Sequence, residues 1–238
     1  MLKEAIEKIV SLAETQTYSI DGQVYSDKTL VRIPPHVDAP KSIDVTTLES
    51  IVRLIKAEIL KVNQVPIFVR VTDYNSVCVF TTYRGDFARD YLYKAVSDTP
   101  AMRTGWKDYE TAMISLRSQF VATQDLEYVL ELLSTITDEN SVKTEDNGLT
   151  QTVQARKGIS LAMKTQIRPL VKLRPFRTFL EVEQPESEFL LRLQEGGQVG
   201  LFEADGGMWQ LAAKRSIKSY FEDELKDLIE AGSVVVTV

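Results

Sequence analysis

Hydrophobic positions along this 238-residue chain follow two periods, one of two residues and one near 3.6. From Phe176 the alternation is strict: Phe176, Thr178, Leu180 and Val182 fall to one side, Arg177, Phe179, Glu181 and Glu183 to the other. Such a period suits a half-buried strand, because successive side chains leave opposite faces of the pleat. Strand-like runs follow at Glu188 to Gln194 and Gln198 to Ala204, and a third, Met208 to Ala213, lies beyond Asp205-Gly206-Gly207. The C-terminal half therefore predicts an antiparallel meander.

Earlier hairpins are expected where turn residues separate β-favouring runs. Asp21-Gly22 sits between Thr17 and Tyr25, with Leu30 to Ile33 extending that sheet as far as Pro34-Pro35. Pro66 to Thr72 and Val77 to Tyr83 flank Asp73-Tyr74-Asn75-Ser76, and Asn147-Gly148 parts Ser141 to Asp146 from Leu149 to Arg156. Ala88 to Val96 reads as a strand, since Tyr91 and Tyr93 alternate with polar neighbours.

The longer period predicts helices. Leu2, Ala5, Ile6, Ile9, Val10 and Ala13 form a short apolar stripe that needs a surface to dock on. Thr46-x-x-Glu49 is a capping-box pattern opening a helix over Thr47 to Lys61, with Leu48, Ile51, Val52, Ile55 and Ile59 buried. Trp106 to Ile136 is a long central helical region, one helix or two, with Thr123 and Asp125 offering a second start ahead of Leu126, Val129, Leu130 and Leu133. Ile217, Phe221, Leu225 and Leu228 build an amphipathic closing helix that Gly232 ends. The valine-rich run 234–238 must pair, inside the fold or with a neighbour, because an exposed edge of that kind is a liability.

These elements give an α+β class: antiparallel sheets and hairpins, a long central helical region and an amphipathic C-terminal helix. Residues 1–62 read as an arm-like region and 63–238 as the main domain.

Composition is that of an ordinary globular chain, 44% hydrophobic and 26% charged, with net charge −6, which argues mildly against a general nucleic-acid binder but leaves room for a local patch. Met1 to Thr15 has no uninterrupted apolar core, so no signal peptide is expected, and no run approaches a membrane span. Cys78 is the single cysteine, which excludes an internal disulfide and suits a reducing compartment.

Residues for catalysis are few. His36, the sole histidine, lies among prolines and reads as a loop residue, while Cys78 sits in an apolar run and reads as a small buried hydrophobe. No phosphate-binding glycine motif is present; Gly196-Gly197 and Gly206-Gly207 fall at turns. Arg84-Gly85-Asp86 is a chance tripeptide, and Glu222-Asp223-Glu224 reads as a solvated helix face. The expectation is therefore no enzyme, no cofactor and no metal.

One charge pattern rises above background. Between Asn147 and Leu180 stand seven basic residues (Arg156, Lys157, Lys164, Arg168, Lys172, Arg174, Arg177) and no acidic ones. Between Glu181 and Asp205 stand seven acidic residues (Glu181, Glu183, Glu186, Glu188, Glu195, Glu203, Asp205) against Arg192 alone. Three readings are open: opposite faces of two copies meeting, which is favoured; pairing across one sheet; or binding of nucleic acid or another anion by the basic run 156–177.

The layout also resembles a family. A strand ending before Thr99-Pro100, the Trp106-led helical region, the Asn147-Gly148 hairpin, Ile167-x-Pro169, Leu173-x-Pro175-Phe176 and Phe189-Leu190-Leu191-Arg192-Leu193 together resemble the YfdQ-like family of phage and prophage proteins, a domain of unknown function. The similarity spans roughly Val65 to Leu228 and is one of order. It implies a phage-borne product acting in the cytoplasm of an infected host cell. The functional expectation is a non-enzymatic protein that works by binding and self-assembly. It would be a homo-oligomer, a shell of capsid-like fold or a counter-defence factor acting on a host or phage protein. The alternative is a nucleic-acid accessory of recombination or replication that depends on Arg168, Lys172 and Arg174.

Overall fold

The computed structural model describes residues 2–13, 15–20, 23–26, 41–62, 66–85, 87–100, 102–137, 141–146, 151–157, 160–194 and 197–238. The class is α+β, in two compact units, Met1–Ala39 and Pro40–Val238. The first unit holds helix α1 (Leu2–Ala13) and strands β1 (Thr17–Ile20) and β2 (Gln23–Ser26). β1 and β2 pair antiparallel, with Thr17 opposite Ser26 and Ile20 opposite Gln23, while Asp21-Gly22, where the turn is expected, lies outside the described residues. On α1, Leu2, Ile6, Ile9 and Val10 are all exposed. The predicted extension at Leu30 to Ile33 lies outside the described residues, as does His36.

The second unit opens with β3 (Ile43–Val45), helix α2 (Leu48–Glu58) with a 3-10 turn after it, and strands β4 (Ile67–Asp73), β5 (Ser76–Phe80) and β6 (Tyr91–Val96). Next come β7 (Gly105–Asp108), α3 (Tyr109–Gln119) and α4 (Gln124–Thr137), then β8 (Ser141–Asp146), β9 (Gln151–Lys157), β10 (Ser160–Ile167) and β11 (Leu170–Leu173). β12 (Ser187–Gln194), β13 (Gln198–Glu203), α5 (Trp209–Glu224), α6 (Lys226–Glu230) and β14 (Val234–Thr237) complete it. Three sheets result, ordered β14-β4-β5-β6-β3, β11-β12-β13-β7 and β10-β9-β8. In the first, β14 and β3 run parallel to their neighbours and the other pairs are antiparallel.

Two hydrophobic cores fill the unit. Leu48, Ile51, Val52 and Ile55 of α2, with Ile217 and Phe221 of α5, pack on the inner face of the first sheet (Ile67, Val69, Val71, Val77, Val79, Val234). This is the buried face that the helical spacing predicts, and α2, counted from sequence with the arm-like region, belongs to this core. The second core sets Leu116, Leu126, Val129 and Leu133 of α3 and α4 against Val171, Leu173, Phe189, Leu191 and Val199.

Four expectations are corrected. Trp106 stands on β7, ahead of the helical region, which is two helices, one of the two arrangements the spacing allows. They part where Phe120 bridges Pro175, Val121 N–H donates to the Arg174 carbonyl at 2.9 Å and Phe176 N–H to the Gln119 carbonyl at 2.9 Å. Thr123 Oγ1 then accepts from Leu126 N–H at 3.2 Å and starts α4.

Residues 176–183 form no strand. Their backbone bonds to one buried amide instead: Gln184 Oε1 accepts from Arg177 N–H (3.0 Å) and Thr178 N–H (3.3 Å), while its Nε2 donates to the carbonyls of Phe179 (2.9 Å) and Val182 (3.3 Å). All four bonding positions of the side chain are used, which a sheet ladder would have to displace.

Met208 to Ala213 is the start of α5, not a strand. Asp205 Oδ1 accepts from Gly207 N–H at 3.0 Å, and Gly206 and Gly207 take φ of 64° and 82°, so the turn feeds a helix whose stripe is Trp209, Ala213, Ile217 and Phe221.

The capping pair of α2 is also displaced by one residue. Thr47, not Thr46, accepts from Ser50 N–H at 3.3 Å, and the Glu181 carboxylate reaches back to accept from Leu48 N–H at 2.7 Å. A negative charge there also suits the helix dipole.

Elsewhere the turn chemistry holds. Gly232 (φ 70°) ends α6, with Gly232 N–H donating to Ile229 and Ser233 N–H to Leu228, both at 2.9 Å. β14 pairs with β4, so the valine run pairs inside the fold. Strands β8 and β9 pair as expected, while residues 147–150 between them lie outside the described residues.

The loop 174–186 is locked by Arg177, whose side chain is 4% exposed. Nη1 donates to Glu203 Oε1 at 2.6 Å, Nη2 to Ser187 Oγ and the Pro185 carbonyl, and the guanidinium lies 3.8 Å from the Trp209 ring centroid. Burial pushes its pKa down to about 10, with Glu203 and Asp205 pulling the other way, so the group stays charged near neutrality. Removing it leaves buried Ser187 and the Glu203 carboxylate without their cation. Arg177→Ala is expected to cost roughly 3–5 kcal/mol in urea unfolding, and Arg177→Lys to recover only part, since an ammonium lacks the planar fork.

Burial of Asp205 is outweighed by the Ser187 hydroxyl, the Gly207 amide and Arg177, so its carboxyl lies below the ordinary 3.8. A depressed folded value means its stabilisation is whole above the unfolded pKa and is lost as pH falls through the folded one. Unfolding midpoints measured from pH 7 downward should hold to about 4 and then drop, and Asp205→Asn should flatten that drop.

Candidate nucleic-acid interface

The inner face of the five-stranded sheet is apolar apart from the Tyr93 hydroxyl, which donates to Glu58, and is covered by α2 and α5. Strand alternation turns the intervening residues to the other face, and the register aligns them in two rows. Val235, Phe68, Phe80 and Tyr91 lie opposite one another across β14, β4, β5 and β6. Thr237, Arg70, Cys78, Lys94 and Asp44 form the next row, reaching β3. A register shift between Val79 and Phe80 brings Tyr91 into the aromatic row, a common use of a bulge.

The aromatic row is stacked. Phe68 and Phe80 have centroids 5.5 Å apart with planes 15° from parallel, and Tyr91 follows at 5.7 Å from Phe80. Arg89, from the segment between β5 and β6, lays its guanidinium over the rings of Tyr83 (4.0 Å), Phe68 (5.1 Å) and Phe80 (5.3 Å) and donates to the Thr81 carbonyl at 3.0 Å. Arg70, Tyr83, Tyr91 and Lys94 are exposed, and Phe68, Cys78 and Phe80 half-buried. Burial raises the Cys78 thiol, and the positive charges of Arg70 and Lys94 draw it back, which places both cations beside the sulfur.

An open sheet carrying flat rings next to cations can stack unpaired bases and hold their phosphates. Two residues along a strand separate the rows by about 7 Å, the scale of a base and its own phosphate. Three cations, Arg70, Arg89 and Lys94, face this surface against Asp44 in the cationic row. The local balance is thus opposite to the net −6 of the chain.

The basic run singled out in the sequence lies elsewhere. Arg168 pairs with Asp125 at 3.1 Å and stacks on Tyr128, Lys172 pairs with Glu186 at 3.7 Å, Arg174 with Glu183, and Arg177 with Glu203. These four meet acids of the same chain. Arg156, Lys157 and Lys164 stand on β9 and β10, and their side chains lie outside the described residues.

The residues of the open face are spread from Asp44 to Thr237, so no run or motif marks them. Their signal is a mismatch: Ile67, Val69 and Val71 already supply one apolar face of β4, and Val77 and Val79 that of β5, leaving Phe68 and Phe80 on the face that should be polar.

A second polar pair lies under α3, where Lys107 Nζ donates to Ser115 Oγ at 3.0 Å and burial holds the lysine below its ordinary pKa. The cleft beside it, lined by Met102, Leu116 and Phe120 among others, has about 10 Å³ of space, enough for about one water and too little for a substrate.

No protein-family model, curated protein or solved structure matches the chain. Among the described residues no helix is long and apolar enough to cross a membrane.

The setting of Cys78 gives a direct check on the face. Its alkylation rate should reach half-maximum above pH 9.0, the ordinary value. Arg70→Gln and Lys94→Gln should each move that midpoint higher and slow the reaction at pH 7, because each removes a charge that favours the thiolate.

Proposed function

We propose that this protein binds single-stranded nucleic acid on the open face of its five-stranded sheet, and acts by binding rather than catalysis. The observation that carries this reading is the Phe68–Phe80–Tyr91 row beside Arg70, Arg89 and Lys94. Bases stack on such rings whatever their identity, and phosphates meet the cations. With Arg89 lying across Phe68 and Phe80, a base either stacks on the outer plane of the guanidinium or displaces it towards a phosphate; both modes are known for arginine. An accessory of replication or recombination is a natural place for this activity, with the site on the sheet rather than on residues 156–177.

Self-association is the second reading, and one observation favours it: the stripe Leu2, Ile6, Ile9 and Val10 of α1 is exposed. The opposite charge blocks support it less than the sequence suggests, because Arg168, Lys172, Arg174 and Arg177 are partnered within the chain. Light scattering on the eluting protein reads this directly. A particle of many copies favours a shell, a small oligomer favours α1 pairing, and a monomer ends the reading.

For the leading reading, fluorescence anisotropy with a labelled oligonucleotide should show binding at low salt. The slope of log affinity against log salt should be about −2, as expected for three phosphate contacts on a single strand. Phe80→Ala should weaken binding about ten-fold, within the range for loss of one stacked base. Arg70→Gln with Lys94→Gln should flatten the slope, whereas neutralising Arg168, Lys172 and Arg174 should leave affinity unchanged. Bound strand should also shield Cys78 from alkylation. No binding of any single strand at low salt would remove the proposal.

A further inference from the structure

The segment between β5 and β6 carries a residue that the fold itself does not use. Phe87 is 84% exposed and has φ of 61°, the one positive value among described non-glycine residues. A bulky side chain is strained in that region, and an apolar ring left in water gains nothing by burial. The strain is held by the stem beneath it. Phe87 N–H donates to the Arg84 carbonyl and Arg84 N–H to the Ala88 carbonyl, both at 2.9 Å; Thr81 N–H donates to the Asp90 carbonyl at 3.0 Å, and Asp90 N–H to Thr81 Oγ1 at 3.1 Å. Arg84 and Asp90 close the same stem with a 2.7 Å ion pair. These bonds fix the backbone at Phe87 while its ring stands in solvent. Two residues further on, within about 7 Å of backbone reach, is Arg89, which lies on Phe68 and Phe80.

We infer that Phe87 stacks on an unpaired base at the rim of the open face, one position beyond the Phe68–Phe80–Tyr91 row, and so makes the site select single strands over duplex. This rests on the reading of that face as a single-strand site. A ring that is almost wholly exposed can contact a base plane only where that plane is free, and in a duplex the base planes are already stacked on their neighbours. Arg89, two residues along the chain and lying over Phe68 and Phe80, and the aromatic row itself supply phosphate and base contacts for one continuous strand, the pattern of stacking platforms.

The test uses the full chain with Phe87→Gly, Phe87→Ala and Phe87→Trp. Glycine adopts positive φ without penalty, so Phe87→Gly should keep or raise the thermal midpoint. Its affinity for a single-stranded oligonucleotide should fall about ten-fold, in the range for one stacked base. Its salt slope should match that of the original chain, since no charge is removed. Phe87→Ala should fall similarly and Phe87→Trp should retain affinity, an order that follows stacking area and not loop stability. A 2-aminopurine placed along the strand should be quenched by the original chain and by Phe87→Trp at one position, and released there by Phe87→Gly. Weak binding to a blunt duplex should be the same for all four proteins. If the original chain binds single strands and Phe87→Gly binds them equally well, the rim assignment is overturned while the sheet face stands. If the original chain binds no single strand, the face itself is overturned and Phe87 with it.

Discussion

A guanidinium taken out of water holds the second unit together. Arg177 leaves a loop, not a regular element, yet it reaches Ser187 at the start of β12, Glu203 at the end of β13 and the face of Trp209 at the start of α5. Trp209 in turn meets Tyr74, in the turn between β4 and β5, with ring centroids 4.7 Å apart, and Thr178 Oγ1 donates to the Tyr74 carbonyl. Thus Arg177, through Trp209, and its neighbour Thr178 link the four-stranded sheet to the turn between β4 and β5 of the five-stranded one. Phe179 then enters the first core, and Leu173, just before the loop, sits in the second. The desolvation of Arg177 is tolerable only because its partners are fixed by three elements and because Gln184 holds the loop backbone in place. A buried charge with mobile partners would be a net loss.

That arrangement explains where sequence reading succeeded and where it stopped. Short-range signals were legible. Thr123, Gly232 and the stripe of α2 each act within a few residues, and each is found in the role its chemistry predicts. The failures come from contacts that a pattern along the chain does not show, some a few residues away and some distant. Residues 176–183 alternate as a strand should, but the amide of Gln184 and the acids beyond it outbid a ladder. Trp106 looked like the head of a helix, while its place is on β7, set against Phe202 at 5.6 Å. Met208 to Ala213 has strand-like composition, and the Asp205 turn gives it a helical start. Of the basic run, Lys172, Arg174 and Arg177 meet acids of the second block within one chain, while Arg168 meets Asp125 of α4.

The open face was less legible, for a geometric reason. Its rows run across strands, at right angles to the sequence, so each strand contributes one or two residues and the pattern exists only in register. A net negative chain can therefore carry a cationic surface without showing a basic run. The interior face needed by α2 and α5 uses every second residue of β4 and β5, and what remains is free of packing duty. Aromatic rings on such free positions lower solubility, and their retention beside three cations makes sense for a partner that offers both flat apolar surface and negative charge.

The strand β14 has a kinetic corollary. Its parallel partner is β4, and most of the second unit intervenes between them. Such a pairing cannot form until nearly all of that unit has left the ribosome, so β4 waits through synthesis with one hydrogen-bonding edge unfilled. The α5–α6 segment and the Gly232 turn then deliver the last strand at the proper angle, which makes closure of the sheet a late, long-range step rather than a local zippering. During that interval the waiting edge is the place where a nascent chain is most open to capture by a chaperone or by another copy of itself.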